Sequence, residues 1–322
     1  MTLGFDTATD DVIAGLDRRD AVVVITGAST GIGLETARAL ASIGATVVLA
    51  GRNAEKHRGA IDKIRVRHPD AHVSHVELDL TSLASAREAA HAIREAHPAI
   101  DLLINNAGVM YTPFERTAEG FELQFGTNHL GHFVFTNHLL AAVVAGAPAR
   151  IINLSSGGHG SSDIIWDDPN YRDRPYDKFE SYGQAKTANI LFTVELERRL
   201  APRGVQSFAV HPGMIVTELG RYMTRDDMKL LRSRIAESVV SSGAPATYKS
   251  IEQGAATTVW AATAAELQGH GGTYLADCAI CTTHAPWARD PESARRLWAL
   301  SEELVGETFE EQPSSIGAEE SR

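Results

Sequence analysis

Seven short apolar runs rich in β-branched residues recur along the chain: "AVVVIT" (21–26), "ATVVLA" (45–50), "HVSHVEL" (72–78), "IDLLIN" (100–105), "RIINLS" (150–155), "VQSFAV" (205–210) and "GTYLA" (272–276). Most are separated by segments of helical period. "ETARALASIG" follows the first and stops at Gly44; "TSLASAREAAHAIREAH" follows the third, with Thr81 or Ser82 as N-cap and Pro98 as terminator. Strands that are apolar on both faces and alternate with helices belong in a parallel sheet covered on each side. Crossovers between parallel strands are right-handed. The expected fold class is therefore α/β, a single doubly wound (Rossmann) domain with a seven-stranded parallel sheet and helices on both faces.

No internal repeat or Pro/Gly/Ser linker divides this pattern. Residues 1–20 read as an N-terminal lead-in with a short helical stretch near "DDVIAGL", and residues 21–290 as the single doubly wound domain. Two excursions interrupt the rhythm: a Gly-, Asp- and Pro-rich loop at 157–180 and a polar, partly helical stretch at 213–250. A C-terminal helix is expected over 291–306, followed by an acidic tail, 307–322, whose dense like charge predicts disorder. From Glu302 to Arg322 there are seven acids and one base, so this segment carries −6 of the formal net charge of −11. The body has no Lys/Arg-rich run to line a phosphate backbone, and nucleic acid is not an expected partner. The first 20 residues hold five aspartates and no apolar h-region, and the longest apolar run, Leu139–Ala147, is too short to span a bilayer. With two cysteines there is no disulfide framework. A cytoplasmic protein without a membrane span is expected.

"TGASTGIG" (26–33) closes the first strand and opens the first helix. Gly27, Gly31 and Gly33 permit a tight turn and close backbone approach, while Ser29, Thr30 and Ile32 lie at a helix N-terminus whose free N–H groups and dipole suit a pyrophosphate. An ordinary tight βα turn is the plain alternative; the strand-to-helix context favours a dinucleotide. The second strand ends in "LAGRN". A site for unphosphorylated ribose hydroxyls calls for a carboxylate here and a 2′-phosphate for a cation. Gly51 stands where the acid would be, with Arg52 and Asn53 next, so NADP is the expected cofactor and NAD the alternative. Asp79, followed by Leu80, ends the third strand and can accept from the adenine amino group, or cap the next helix.

The segments "TGASTGIG", "NNAG" (105–108), "NHLGHF" (128–133), "INLSS" (152–156), "YGQAK" (182–186) and "HPG" (211–213) occur in the order and spacing of the short-chain dehydrogenases/reductases, which residues 20–280 resemble. "NHLGHF" and "YGQAKTANILFTVEL" resemble the retinol-dehydrogenase-like branch. The resemblance implies that Tyr182 exchanges a proton with the substrate oxygen, that Lys186 lowers its pKa and holds the nicotinamide ribose, that Ser156 hydrogen-bonds the same oxygen, and that Asn128 fixes a proton-relaying water. It further implies that Asn106, Ala107 and Gly108 meet the adenosine ribose, and that Pro212, Gly213 and Thr217 close over the nicotinamide amide; a plain helix N-cap is the other reading of Thr217. Physics supports the central pair. Four residues apart on a helix, the phenol and the ammonium share a face, and a phenol brought towards neutrality is the better general acid or base. Ser155 is the neighbouring alternative to Ser156, since side chains alternate at a strand end.

Other features carry less. Cys278 and Cys281 form a C-x-x-C without a second pair to complete a zinc site. His129, His132 and His138 share one predicted helix and read as satisfied core histidines, with His132 the candidate to border the active site. The interval of 26 residues from Ser156 to Tyr182 resembles the longer loop of the retinol-dehydrogenase-like branch. Its Trp166, Tyr171 and Tyr176, with Tyr222 and Met223, are expected to form an aromatic, apolar pocket. The chain thus reads as an NAD(P)-dependent oxidoreductase interconverting an alcohol and its ketone or aldehyde, on a lipophilic, steroid- or retinoid-like substrate. A homo-oligomer is a candidate assembly. A non-catalytic dinucleotide-binding sensor or scaffold is the competing reading, disfavoured by the complete set Asn128, Ser156, Tyr182 and Lys186.

Overall fold

Alternate residues of the first strand feed opposite layers. Val24 belongs to one apolar core, while Val23 and Ile25 belong to another. That two-sided burial is what a strand inside a covered parallel sheet must satisfy. In the computed structural model, which describes residues 3–242 and 247–309, the elements in chain order begin with helix α1 (Thr9–Ile13), strand β1 (Val22–Thr26), α2 (Gly31–Ser42), β2 (Thr46–Ala50), α3 (Ala54–Arg67), β3 (Val73–Val76), α4 (Leu83–Ala96) and β4 (Leu102–Asn105). A short α5 (Leu123–Phe125) runs through one π-helical turn, Gly126–Leu130, into α6 (Gly131–Ala145). Then come β5 (Ala149–Leu154), α7 (Lys178–Leu200), β6 (Val205–His211), β7 (Met214–Ile215), α8 (Arg225–Ser242), β8 (Tyr248–Lys249), α9 (Ile251–Thr263), β9 (Thr273–Ala276), β10 (Ala279–Ile280) and α10 (Pro291–Val305).

The main sheet has the order β10-β9-β6-β5-β4-β1-β2-β3, and β7 pairs with β8 in a separate two-stranded sheet. Seven of the eight main strands are parallel, matching the seven apolar runs. The eighth corrects the expected count: β10 returns antiparallel to β9 through a two-residue turn, Asp277 and Cys278, both at positive φ. Helices α4, α6, α7 and α10 cover one face, and α1, α2, α3 and α9 the other. The chain leaves β1 in one direction and β4 in the other, which opens a crevice at the carboxyl ends of these two strands.

Two further expectations change. The acidic tail was expected to be disordered from residue 307, yet Glu307 pairs with Arg87 and His138, and Phe309 sets its ring edge-on to Phe133 at 5.6 Å. Their partners lie on α4 and α6, far away in sequence and so invisible to local composition. Residues 310–322 of the expected tail lie outside the described residues. The loop aromatics also divide differently. Trp166 lies under the Arg296 guanidinium of α10 at 4.1 Å; Tyr171 bonds Glu180, and Tyr176 bonds Glu122 and Gln124. These three brace the loop. Met223 is the one that packs with Tyr111, Phe179 and Tyr182, while Tyr222 lies under Arg221. Among the described residues no helix is long and apolar enough to cross a membrane.

Candidate active site

The crevice begins at the β1–α2 turn, where glycine is needed for two reasons. Gly27 has φ +68°, and a Cβ there would lie 2.7 Å from the Ala107 Cα. At Gly33 the backbone is helical, but a Cβ would lie 2.6 Å from the Gly27 carbonyl oxygen and 2.5 Å from Asn106 Nδ2. The glycine loop and the "NNAG" turn therefore touch backbone to backbone. Asn106 ties them, its side-chain amide donating to the carbonyls of Thr26 and Gly27 (2.9 and 3.1 Å). Thr26 Oγ1 in turn accepts from the amides of Asn106 and Ala107, both at 2.9 Å. Gly27, Ser29, Thr30, Gly31 and Ile32 are half-buried, leaving the start of α2 open to the crevice. Thr30 is its N-cap, without a side-chain hydrogen bond of its own.

The next strand ends carry smaller assignments. Arg52 is exposed and lies 3.9 Å from Asp79 Oδ2. Asn53 caps α3 by accepting from the Lys56 amide. Asp79 does not cap α4, a place taken by Ser82; its Oδ1 accepts from the Thr81 amide and hydroxyl. Leu80 turns its side chain into the core, and its carbonyl stands where a Cβ on Gly131 would fall, at 2.4 Å.

Ser156, Tyr182 and Lys186 meet at the end of β5. Ser156 Oγ accepts from the Gly158 amide at 3.0 Å, and both Ser156 Oγ and the Tyr182 ring border the space beside Gly158. Ser155 faces the other way and donates to the Lys186 carbonyl (2.8 Å), which leaves Ser156 as the serine of the crevice. Lys186 Nζ donates to the Leu154 carbonyl (3.0 Å) and lies 5.6 Å from the centre of the Tyr182 ring. Both side chains are buried. Burial pushes the Lys186 ammonium down to about 8. The phenol departs from expectation: burial holds Tyr182 well above its ordinary value, Tyr111 adds to the rise, and the Ser156 hydroxyl opposes it. An ammonium turned towards a backbone carbonyl does not outweigh that desolvation.

Asn128 sits inside the π-helical turn, a feature often found where a helix carries function. Its side chain clasps Val109, accepting from the amide at 2.8 Å and donating to the carbonyl at 2.9 Å. The amide group thus braces the turn after "NNAG", and the Asn128 main-chain carbonyl accepts from His132 Nδ1 (3.0 Å). His132 closes the circle through Nε2 to Thr26 Oγ1 at 2.9 Å, with burial lowering its pKa to about 4. His129 bonds Ser301 in the core instead. At the far rim, Gly213 has φ +92° and follows Pro212 in a half-buried segment. His211 joins this segment to the serine loop, accepting from the amides of Gly157 and Gly213 (3.1 and 3.4 Å). Thr217 caps a short turn by accepting from the Leu219 amide, and its methyl lies 3.5 Å from where a Gly31 Cβ would be. The capping reading of Thr217 therefore holds, and the residue also faces the glycine loop. Sequence reasoning missed Thr26 and His211; the one available signal was position, directly before Gly27 and at the end of β6.

Among the described residues no group of His, Cys, Asp or Glu could hold a metal ion. Cys278 is buried beside Thr257, and Cys281 donates to the Thr283 carbonyl.

Residues 21–228 match the family model described as short chain dehydrogenase. The chain belongs to the short-chain dehydrogenase family. Within it the chain is retinol-dehydrogenase-like: it is 45% identical over 284 residues to retinol dehydrogenase 13 of Homo sapiens, covering 88% of this chain and 84% of that one. It is 38% identical over 312 residues to the short-chain dehydrogenase TIC 32 B, chloroplastic, of Brassica napus, covering 94% of each. The crystal structure of an uncharacterized protein from Mycobacterium Paratuberculosis superposes with a TM-score of 0.72 at 34% identity, over 92% of this chain and 98% of that one. This short-chain dehydrogenase is an NAD(P)-dependent oxidoreductase acting on alcohols.

Proposed function

We propose that the protein interconverts a lipophilic ketone or aldehyde and its alcohol with NADPH as the preferred nicotinamide, with Tyr182, Ser156, Lys186 and Asn128 as the catalytic set. One observation carries the reading: the Ser156 and Tyr182 hydroxyls and the Lys186 ammonium converge at the end of β5, beside a glycine turn too closely packed to admit side chains at Gly27 or Gly33. The residues fit the cofactor. The open start of α2 suits its pyrophosphate. Arg52 and Asn53 suit a 2′-phosphate, Asp79 and the Leu80 backbone the adenine, Asn106, Ala107 and Gly108 the adjoining ribose, and Pro212, Gly213 and Thr217 the nicotinamide amide. When bound, the nicotinamide supplies or accepts the hydride.

The chain's own groups then handle the oxygen. Ser156 orients it by hydrogen bonding, and Tyr182 gives or takes its proton. Lys186 supplies positive charge on the same helix face, and its influence on the phenol grows as a negative charge develops at the oxygen in a site that excludes water. Asn128 holds the turn that supports the pair. A lipophilic substrate is favoured by the apolar wall of Met110, Tyr111, Phe179, Met223 and Leu231 around Tyr182. The test is NADPH oxidation with a panel of aliphatic, aromatic and steroid-like ketones and aldehydes, comparing wild type with Tyr182→Phe. Turnover in the wild type and a loss of about 10²-fold or more in the variant, with cofactor affinity retained, is the expected result. Equal traces would favour the sensor or scaffold.

A further inference from the structure

We propose that His57, packed behind Gly51 at the end of β2, is a cofactor-specificity residue: it denies position 51 the acidic side chain that an unphosphorylated ribose would require. The proposal rests on the NADPH reading and deepens it. Gly51 is not among the residues at positive φ, so its backbone does not call for glycine. Space does. A Cβ at position 51 would lie 2.5 Å from His57 Cε1 and 2.8 Å from its Nε2, closer than side chains tolerate.

A ring at the end of a side chain could swing away, but this one is held from several sides. His57 Nδ1 donates to the Asn53 carbonyl at 2.8 Å, within the first turn of α3 that Asn53 itself caps. The ring stacks on His75, centroids 4.5 Å apart and planes 22° from parallel. His75 in turn donates through Nε2 to the Gly51 carbonyl at 2.9 Å, so the backbone that would carry the new side chain is tied to the same stack. His57 is 2% exposed, and its Nε2 is buried with no hydrogen-bond partner among the described residues. A buried polar atom left unpaired costs stability, so packing alone would be better served by an apolar residue of similar size. Burial also lowers the His57 pKa, which keeps the ring neutral. It therefore acts by shape. The charge at this rim comes from exposed Arg52 next door.

The experiment measures binding and stability, without turnover. NADPH and NADH are titrated into wild type, Gly51→Asp, His57→Ala and the double variant by calorimetry, and Tm is recorded for each and for Gly51→Ala alone and with His57→Ala. Gly51→Asp alone is expected to lower Tm with little gain for NADH. The double variant recovers Tm relative to Gly51→Asp, binds NADH about tenfold more tightly than wild type, the worth of one charge-assisted hydrogen bond, and binds NADPH more weakly. The Tm losses of Gly51→Ala and His57→Ala are expected to be non-additive, the double being less destabilised than the two singles together. The proposal is overturned if Gly51→Asp by itself keeps wild-type Tm and gains NADH affinity, or if the two losses simply add. Wild type binding both nucleotides equally would overturn the NADPH reading and the specificity role with it, while a non-additive Tm would still support the steric one.

Discussion

Replacing Lys186 with methionine should make the protein more stable and inactive, and the gain in stability should depend on pH in a defined direction. Lys186 is buried, and burial lowers its pKa from 10.5 to about 8. The folded state therefore releases this proton more readily than the unfolded chain does. Between those two values the unfolded state binds more protons, so stability rises with pH; below the folded value the full cost of burying the ammonium is present. At about 1.4 kcal/mol per pKa unit, the gap is worth on the order of 3 kcal/mol at pH 7. Methionine fills similar space without charge. It loses the hydrogen bond from Nζ to the Leu154 carbonyl, about 1 kcal/mol, but that carbonyl keeps a partner in Asn189 Nδ2 at 2.9 Å. The net gain is about 2 kcal/mol, or roughly 4 °C in Tm for a chain of this size. Scanning calorimetry of both proteins from pH 6 to 11 isolates the lysine, because other titrating groups cancel in the difference. The Tm advantage should shrink as pH climbs past 8, reach zero before 10.5 and reverse above it, where only the lost hydrogen bond to the Leu154 carbonyl remains, while turnover falls about 10²-fold or more at every pH. A variant less stable than wild type at pH 7, or an advantage that stays constant with pH, would refute the claim that this fold holds a desolvated ammonium beside its phenol.

Gly33→Ala should abolish measurable NADPH binding and cost about 1–3 kcal/mol, since its Cβ would press on the Gly27 carbonyl; calorimetric titration and a melt check both, and retained affinity would contradict the described contact. Asn106→Ala removes both donors that tie the glycine loop to the "NNAG" turn. It should lower stability by about 2 kcal/mol and weaken cofactor binding together, whereas an unchanged melt would show that the loop is held elsewhere. Phe309→Ala strips an edge-on ring from Phe133 and His138. A loss of about 1 kcal/mol with unaltered kcat is expected, and an altered kcat would mean that the C-terminal segment communicates with the crevice.

Local patterns determined a great deal. Seven parallel strands could be read because a strand buried on both faces must be apolar throughout, a property of a few neighbouring residues. The Tyr182–Lys186 face follows from helix geometry alone, and the glycine turn from its place between a strand and a helix. Ser156 was separable from Ser155 only by motif until the structure showed Ser155 donating to the Lys186 carbonyl. The tertiary structure decided whatever depends on partners distant in sequence. Two residues of β10 are too few to show a period, and they pair because a hairpin turn places them beside β9. Glu307 and Phe309 read as solvated until Arg87, His138 and Phe133 come together from other elements. The loop aromatics could not be sorted into brace and wall, because orientation is set by Glu122, Glu180 and α10. The pKa of Tyr182 was misjudged for the same reason: spacing reveals which cation lies nearby, but the depth of burial, which dominates here, is a property of the whole packed fold.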